Sequence, residues 1–393
     1  MMDEVDNPYS PGAGRPPAAL AGRDGPLKAW RVALDRVAAD RGAQPVVLYG
    51  LRGVGKTVLL GRYAAQARER EWIVAKLEAG SGKSFRTSLS DELRAPLADL
   101  AALRGLGRRM LSGLKTAVSF FNGSVDAAGT WTVGLDLSAV QGGGADSGAL
   151  ESDLVKLLGD LSAAAAERGT AVAVLIDEAQ DLTREELAAL IAVAHRASQE
   201  NWRILFALAG LPSLPRVLAE AKSYAERLFD YQHVEKLAEE PATSALVAPA
   251  LQAGVTWHPE AVELVLARTG GYPYFLQQFG QDVWNAAPGP DHICLQDARV
   301  GAERGQAALD VGFYRARWDR ATTGEKKYLT AMAADHDGNS SAGEVARRLG
   351  TTVQAQGPNR AKLIDKGLIY APEHGVVAFT VPGMAGFISR QYS

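Results

Sequence analysis

Gly50-Leu51-Arg52-Gly53-Val54-Gly55-Lys56-Thr57 is a complete G-x-x-x-x-G-K-T phosphate loop. The run Gln44-Pro45-Val46-Val47-Leu48-Tyr49 leads into it as a buried parallel strand, and Val58-Leu59-Leu60 to Ala67 leaves it as a helix. That strand–loop–helix context turns a letter pattern into a mechanism. From Gly50 onward the chain turns tightly, and the backbone N–H groups of Gly53, Val54, Gly55, Lys56, Thr57 and Val58 are expected to wrap a β-phosphate. The helix N-terminus adds partial positive charge. Lys56 is expected to reach the β- and γ-phosphates, and the Thr57 hydroxyl to ligate Mg²⁺.

A second run, Ala171-Val172-Ala173-Val174-Leu175-Ile176-Asp177-Glu178, is apolar, partly β-branched, and ends in two acids. It reads as a fully buried central strand. Asp177, at its carboxyl end, is expected to hold Mg²⁺ through water, and Glu178 to polarise an attacking water. The segment from Leu182 to Ala194 reads as a helix, with Thr183 or Asp181 as its cap. Capping explains neither why the strand ends in an acidic pair nor why a phosphate loop precedes it. A second G-K-S ending, Gly80-Ser81-Gly82-Lys83-Ser84, is a decoy. Leu77 stands where the first glycine of a loop is required, so the segment reads as the turn after the strand Trp72–Leu77.

A chain of 393 residues suggests two or three domains. A net charge of −3 gives no global attraction to nucleic acid, so any polyanion site must be local. The one cysteine, Cys294, excludes an intrachain disulfide framework and fits a reducing, cytoplasmic setting. No apolar run approaches the about 20 residues of a membrane span, so no membrane partner is expected. The acidic, Pro/Gly-rich start lacks a signal pattern.

Strands alternating with helices predict an α/β fold: a P-loop parallel sheet with helices on both faces over residues 20–236. A disordered leader is expected over 1–19. The alternating, glycine-flanked segment at about 122–148 reads as an inserted hairpin or mobile loop. An all-α lid is expected over 237–300, with helices at 241–253, 259–269 and 273–286. A single linker helix over 295–320 leads into a C-terminal winged-helix domain, the two covering 301–393.

With these parts placed, the chain resembles AAA+ ATPases of the origin-recognition (Orc1-like) or STAND-adjacent kind. The resemblance rests on Gly22-Arg23-Asp24, Gly50–Thr57, Ile176-Asp177-Glu178 and Gly271-Tyr272-Pro273. It implies ATP or ADP between base and lid, with Arg23 and Pro273 joining the nucleotide site. It also implies hydrolysis stimulated by a neighbour or partner, with Arg227 as an arginine finger acting in a neighbour's site within a homo-oligomer. Two departures stand out. The strand ending at Ala209-Gly210 lacks the usual polar sensor residue, and Tyr274-Phe275-Leu276 stands where replicative members carry a sensor arginine. Fewer polar groups on the γ-phosphate imply turnover well below ~1 s⁻¹.

The winged helix is the natural place for duplex DNA, through residues 340–380. Its recognition helix offers Gln354, Gln356, Asn359, Arg360 and Lys362. The wing tip, Pro372-Glu373-His374-Gly375, carries an acid and is a poor phosphate clamp. Two functions therefore stay open: a DNA-associated AAA+ switch, or a STAND-like signalling or defence ATPase whose winged helix and insertion bind a protein partner.

Overall fold

The structure, a computed structural model, describes residues 2–18, 20–80, 82–102, 106–122, 140–336 and 338–392. The hairpin expected near Thr130–Leu137 lies outside the described residues.

The first unit opens with α1 (Asp24–Ala38), β1 (Val46–Tyr49), α2 (Lys56–Arg68) and β2 (Ile73–Glu78). There follow α3 (Phe85–Ala101), α4 (Arg108–Asn122), α5 (Leu150–Glu167) and β3 (Val172–Asp177). It closes with α6 (Arg184–Gln199), β4 (Ile204–Gly210), α7 (Leu214–Ala221), α8 (Ala225–Leu228) and β5 (Asp230–His233). The five strands form one parallel sheet in the order β2-β3-β4-β1-β5. Strand residues alternate between two cores. Val46 and Leu48 of β1, with Ala173 and Leu175 of β3, pack under α1 and α2, where Trp30 stacks on Tyr63. Val47, Val174, Ile176 and Phe206 face α3 to α7. Burial on both sides is why the strands read as continuous apolar runs rather than alternating ones.

Local signals set the boundaries. Thr183 and Glu186 form a reciprocal capping box at the start of α6. The decoy segment is structural: Ser84 caps α3 and Lys83 pairs with Asp91 at 2.7 Å.

Helices α9 (Glu239–Gln252), α10 (Pro259–Thr269) and α11 (Pro273–Ala286) follow, with short strands β6 (Thr256–Trp257) and β7 (His292–Ile293) pairing parallel. The expected single helix over 295–320 is interrupted. α12 (Leu295–Ala308) widens into a π turn over Leu309–Tyr314 before α13 (Arg315–Trp318). The C-terminal unit contains α14 (Thr323–Ala333), β8 (Ser340–Ser341), α15 (Ala342–Arg348), α16 (Val353–Asp365), β9 (Ile369–Tyr370), β10 (Val376–Phe379) and α17 (Met384–Tyr392). Its small sheet has three antiparallel strands, β8-β10-β9, giving a winged-helix-like module. No helix of the described residues is long and apolar enough to cross a membrane.

The leader requires correction. Residues 2–18 are not a free tail: Met2 and Tyr9 are buried in the core of the lid and C-terminal unit. The Tyr9 hydroxyl donates to the Leu246 carbonyl and accepts from Trp257 Nε1 at 3.1 Å. Trp284 Nε1 donates to the Asp3 carbonyl at 2.9 Å. Low apolar periodicity concealed this, because two anchors in an irregular segment create no period to detect.

Candidate nucleotide site

The carboxyl ends of β1 and β3 open into a cavity of about 570 Å³. Loop residues 52–58 form its floor, with Glu78, Asp177 and Glu178 on the sheet side and Pro273, Tyr274, Phe313 and Arg317 opposite. Residues 10–15 of the N-terminal segment line the remaining side. A crevice at the carboxyl edge of a parallel sheet is where such folds take ligands. Gly53 and Gly55 adopt φ of +84° and +94°, which side-chain-bearing residues rarely adopt. That conformation turns successive N–H groups toward one concavity.

Lys56 is buried at the first turn of α2, and its ammonium donates to the Gly50 and Leu51 carbonyls at 2.9 Å each. Burial lowers its pKa to about 8, partly countered by the negative charges of Glu178 and Asp177 and reinforced by Arg52. A lysine desolvated in this way gains most from an anionic ligand. Thr57 is exposed and lines the same cavity as the buried carboxylate of Asp177. The donor set fits Mg²⁺, which favours a hydroxyl, a carboxylate, phosphate oxygens and water over a closed protein cage. Among the described residues no group of three or more His, Cys, Asp or Glu residues could hold a metal by itself.

Glu178 follows β3 with φ +47°, a left-handed backbone uncommon for glutamate. Arg52 Nη1 donates to one carboxylate oxygen at 2.7 Å, and Gln180 Nε2 donates to the other at 2.7 Å. Gln180 also accepts from the Leu211 backbone N–H at 2.9 Å. A side chain at Gly210 would collide with the Gln180 amide oxygen and with Leu214. A side chain at the end of β4 would have to displace these two side-chain tips, and Gln180 fills that space.

Arg23 is largely buried and lines the cavity. Its Nη2 donates to the Val54 carbonyl at 2.9 Å and the Glu235 carbonyl at 2.7 Å, joining the phosphate loop to the exit of β5. Burial lowers its pKa. Pro273 starts α11, whose next residue, Tyr274, donates its N–H to the Gly53 carbonyl at 3.2 Å. The lid thus touches the loop directly. Gly50 donates to the Gly210 carbonyl at 3.2 Å, and Val58 lines the cavity. Arg227 stands elsewhere. It is exposed on α8, at the amino end of β5, and its carbonyl accepts from Gln44. Because β1 and β5 run parallel with Val46 opposite Asp230, Arg227 lies at the end of the sheet away from its own phosphate loop.

Sequence reasoning missed two contributors. Arg317 enters from α13, its guanidinium 4.2 Å from the Phe313 ring centre and its Nη1 donating to the Phe313 carbonyl at 2.6 Å. Burial lowers its pKa to about 10, with nearby Arg52 adding to the effect. The other is the segment around Gly14, where an added Cβ would lie 3.1 Å from Thr57 Cγ2. Neither belongs to a local motif; only the turn over Leu309–Tyr314 and the anchoring of Tyr9 bring them in.

The cradle, the acidic strand end and the strand order together define a P-loop nucleoside-triphosphatase fold. The AAA ATPase domain family matches residues 19–218, and the chain belongs to that family. A family described as a domain of unknown function (DUF8462) matches residues 311–388. Among solved structures, the Walker-type ATPase PABY2304 of Pyrococcus abyssi superposes with a TM-score of 0.60 at 16% identity, covering 95% of this chain and 98% of that one. Cdc6p from Pyrobaculum aerophilum gives 0.48 at 15% identity over 99% and 97% of the two chains. The Aeropyrum pernix Orc1 protein in complex with DNA gives 0.46 at 15% over 95% and 94%. At these identities the likeness concerns fold alone. No protein with a curated description matches the sequence significantly.

Proposed function

We propose that this chain is an ATP-binding, slowly hydrolysing AAA+ switch of the origin-recognition-like kind. The observation that carries the reading is the convergence of Lys56, Thr57, Asp177, Glu178 and Arg317 on one cavity. The loop amides and Lys56 hold the phosphates, with Arg317 adding charge from the linker. Thr57 and Asp177 would hold Mg²⁺, which would supply neutralising positive charge to the phosphates. Arg23 ties the loop to the exit of β5 from within the cavity wall, and Pro273 sets the lid against it. Glu178 takes a proton from water as the water oxygen bonds to the γ-phosphorus and the bond to the β–γ bridging oxygen breaks, giving ADP and inorganic phosphate. Slow turnover is supported by the engagement of both Glu178 oxygens and by the lack of a polar side chain at Gly210. Arg227, facing away from its own cavity, is assigned to a neighbouring subunit's site in a homo-oligomer.

The domains we assign are the base over 20–236, the lid over 237–300, and the linker with the winged helix over 301–393. Duplex DNA is the partner we assign to the last. Gln354 and Lys362 are exposed along α16, whereas Gln356 and Asn359 hydrogen-bond to each other at 3.0 Å. A protein partner, as in signalling ATPases, is the alternative, favoured by the small excess of basic over acidic residues in this module. Lys56→Ala tests the core reading: affinity for a fluorescent ATP analogue is expected to fall by about a hundredfold, the loss of a desolvated ion pair with phosphate. Unchanged affinity would remove the cavity from nucleotide binding.

A further inference from the structure

The N-terminal segment is tied to the lid before it reaches the nucleotide cavity. Asn7 Nδ2 donates to Asn285 Oδ1 at 2.6 Å and to the Gln281 carbonyl at 3.1 Å. Tyr9 is buried, its ring nearly perpendicular to that of Trp257 with 6.4 Å between centres. α11 makes room for the tyrosine because residue 280 is glycine. A Cβ there would stand 2.6 Å from Tyr9 Cδ1 and 2.8 Å from its Cγ, closer than carbon atoms pack. The Ser10 N–H then donates to Gln277 Oε1 at 3.1 Å. From this anchor, Pro11 to Arg15 run along the cavity. Gly14 lies against Thr57, the residue assigned to magnesium, with only 3.1 Å between an added Cβ and Thr57 Cγ2. The segment therefore reaches the phosphate end of the cavity and brings Arg15 with it.

Five cationic side chains line this cavity, Arg15, Arg23, Arg52, Lys56 and Arg317, against three carboxylates, Glu78, Asp177 and Glu178. Four of the five donate to a carbonyl or a carboxylate. Arg15 differs: it is exposed and, among the described residues, makes no hydrogen bond or ion pair. Its side chain doubles back over Gly12, where an added Cβ would lie 2.9 Å from Arg15 Cδ and 3.4 Å from Nε. A guanidinium sharing a cavity with four like charges gains from a polyanion. The anion relieves the repulsion and accepts two parallel N–H donors. We propose that Arg15 is a further phosphate-binding residue of this site, and that Tyr9, in its Gly280 socket, is the positioning residue that holds Arg15 over the cavity. This inference rests on the assignment of the cavity to a nucleotide.

Calorimetric titration of the full chain with a non-hydrolysable ATP analogue and Mg²⁺ tests it. Arg15→Gln is expected to weaken binding about fivefold, the upper value for an exposed ion pair. Arg15→Glu, close to Gln in shape, is expected to weaken it about fivefold further, and Arg15→Lys to stay within about twofold of the parent. Parent affinity in Arg15→Gln, or equal affinities in Arg15→Gln and Arg15→Glu, overturns the proposal, because a side chain that only packs does not distinguish an amide from a carboxylate. Lys56→Ala separates the two readings. Unchanged affinity there removes the nucleotide and this inference together; a loss there with no response across the Arg15 series removes this inference alone.

Two variants outside the cavity test the anchor. Gly280→Ala fills the socket while favouring the helix, and Tyr9→Ala empties it. Each is expected to match Arg15→Gln, at about fivefold, and to add nothing when combined with it, since both act through one guanidinium. Chemical denaturation checks that each variant is folded. Losses that add in the double variants, or parent affinity in both single variants, overturn the role of Tyr9.

Discussion

The base and the C-terminal unit are both well supplied with cations, but they deploy them differently. Around the phosphate loop, Lys56 and Arg317 line a cavity in which burial weakens their hold on a proton. In the C-terminal unit the cations are neutralised at home. Arg348 pairs with Asp335 at 2.6 Å, Lys366 with Glu325 at 2.6 Å, and Arg390 with Asp310 at 2.7 Å. The first pattern is a site awaiting an anion. The second is mainly structural, so contact with a polyanion there must rest on the few cations left over, such as Lys327 and Lys362. Charge count alone does not distinguish the regions; the partner of each charge does.

Four outcomes would sharpen or break that contrast. The largest belongs to Arg23, which clasps the carbonyls of Val54 in the loop and Glu235 after β5. Arg23→Ala is expected to weaken ATP-analogue binding about 10- to 100-fold, the value of about 1.5–3 kcal/mol for hydrogen bonds from a charged group. Intact affinity would make the clasp incidental.

Next is pH. Lys56 in the free protein sits near a pKa of about 8, lowered by burial. A bound phosphate favours the charged form and raises that value, so above it binding must take up a proton. Affinity is therefore flat below about pH 8 and falls by up to about tenfold per unit above it. Titrations of the analogue at about pH 7 and about pH 9 check the sign, and affinity rising with pH would contradict the lysine's role.

In the C-terminal unit, Lys362→Ala is expected to weaken duplex binding only about threefold and to make the salt dependence shallower by about one counterion. Binding that ignores salt would favour a protein partner. The smallest effect concerns neither ligand. Thr183→Ala removes the capping box of α6 and is expected to cost about 1 kcal/mol in chemical denaturation.

The two regions also differ in how much the sequence disclosed. Gly50–Thr57 and Val172–Asp177 were legible because a buried parallel strand leaves a continuous apolar run and a phosphate loop needs glycine at fixed positions. The lid helices followed from Pro and Gly punctuation at Pro259, Pro273 and Gly270. What escaped was non-local. Arg52 is an unspecified position of the phosphate loop, and Gln180 belongs to no motif. Only the pairing of β3 with β4 and the docking of Thr380, whose carbonyl accepts from the Arg52 N–H, bring them to Glu178. Tyr9 escaped for the same reason: its partners are Leu246 and Trp257, more than two hundred residues away.

The central claim is that one cradle binds ATP and that Glu178 activates the water which cleaves it. The most direct measurement incubates the parent chain and Glu178→Gln with radiolabelled ATP and Mg²⁺ and then identifies the retained nucleotide. The account predicts that ADP accumulates on the parent, while the variant retains intact ATP, with hydrolysis slowed about a hundredfold or more. ADP forming on Glu178→Gln at the parent rate would contradict it.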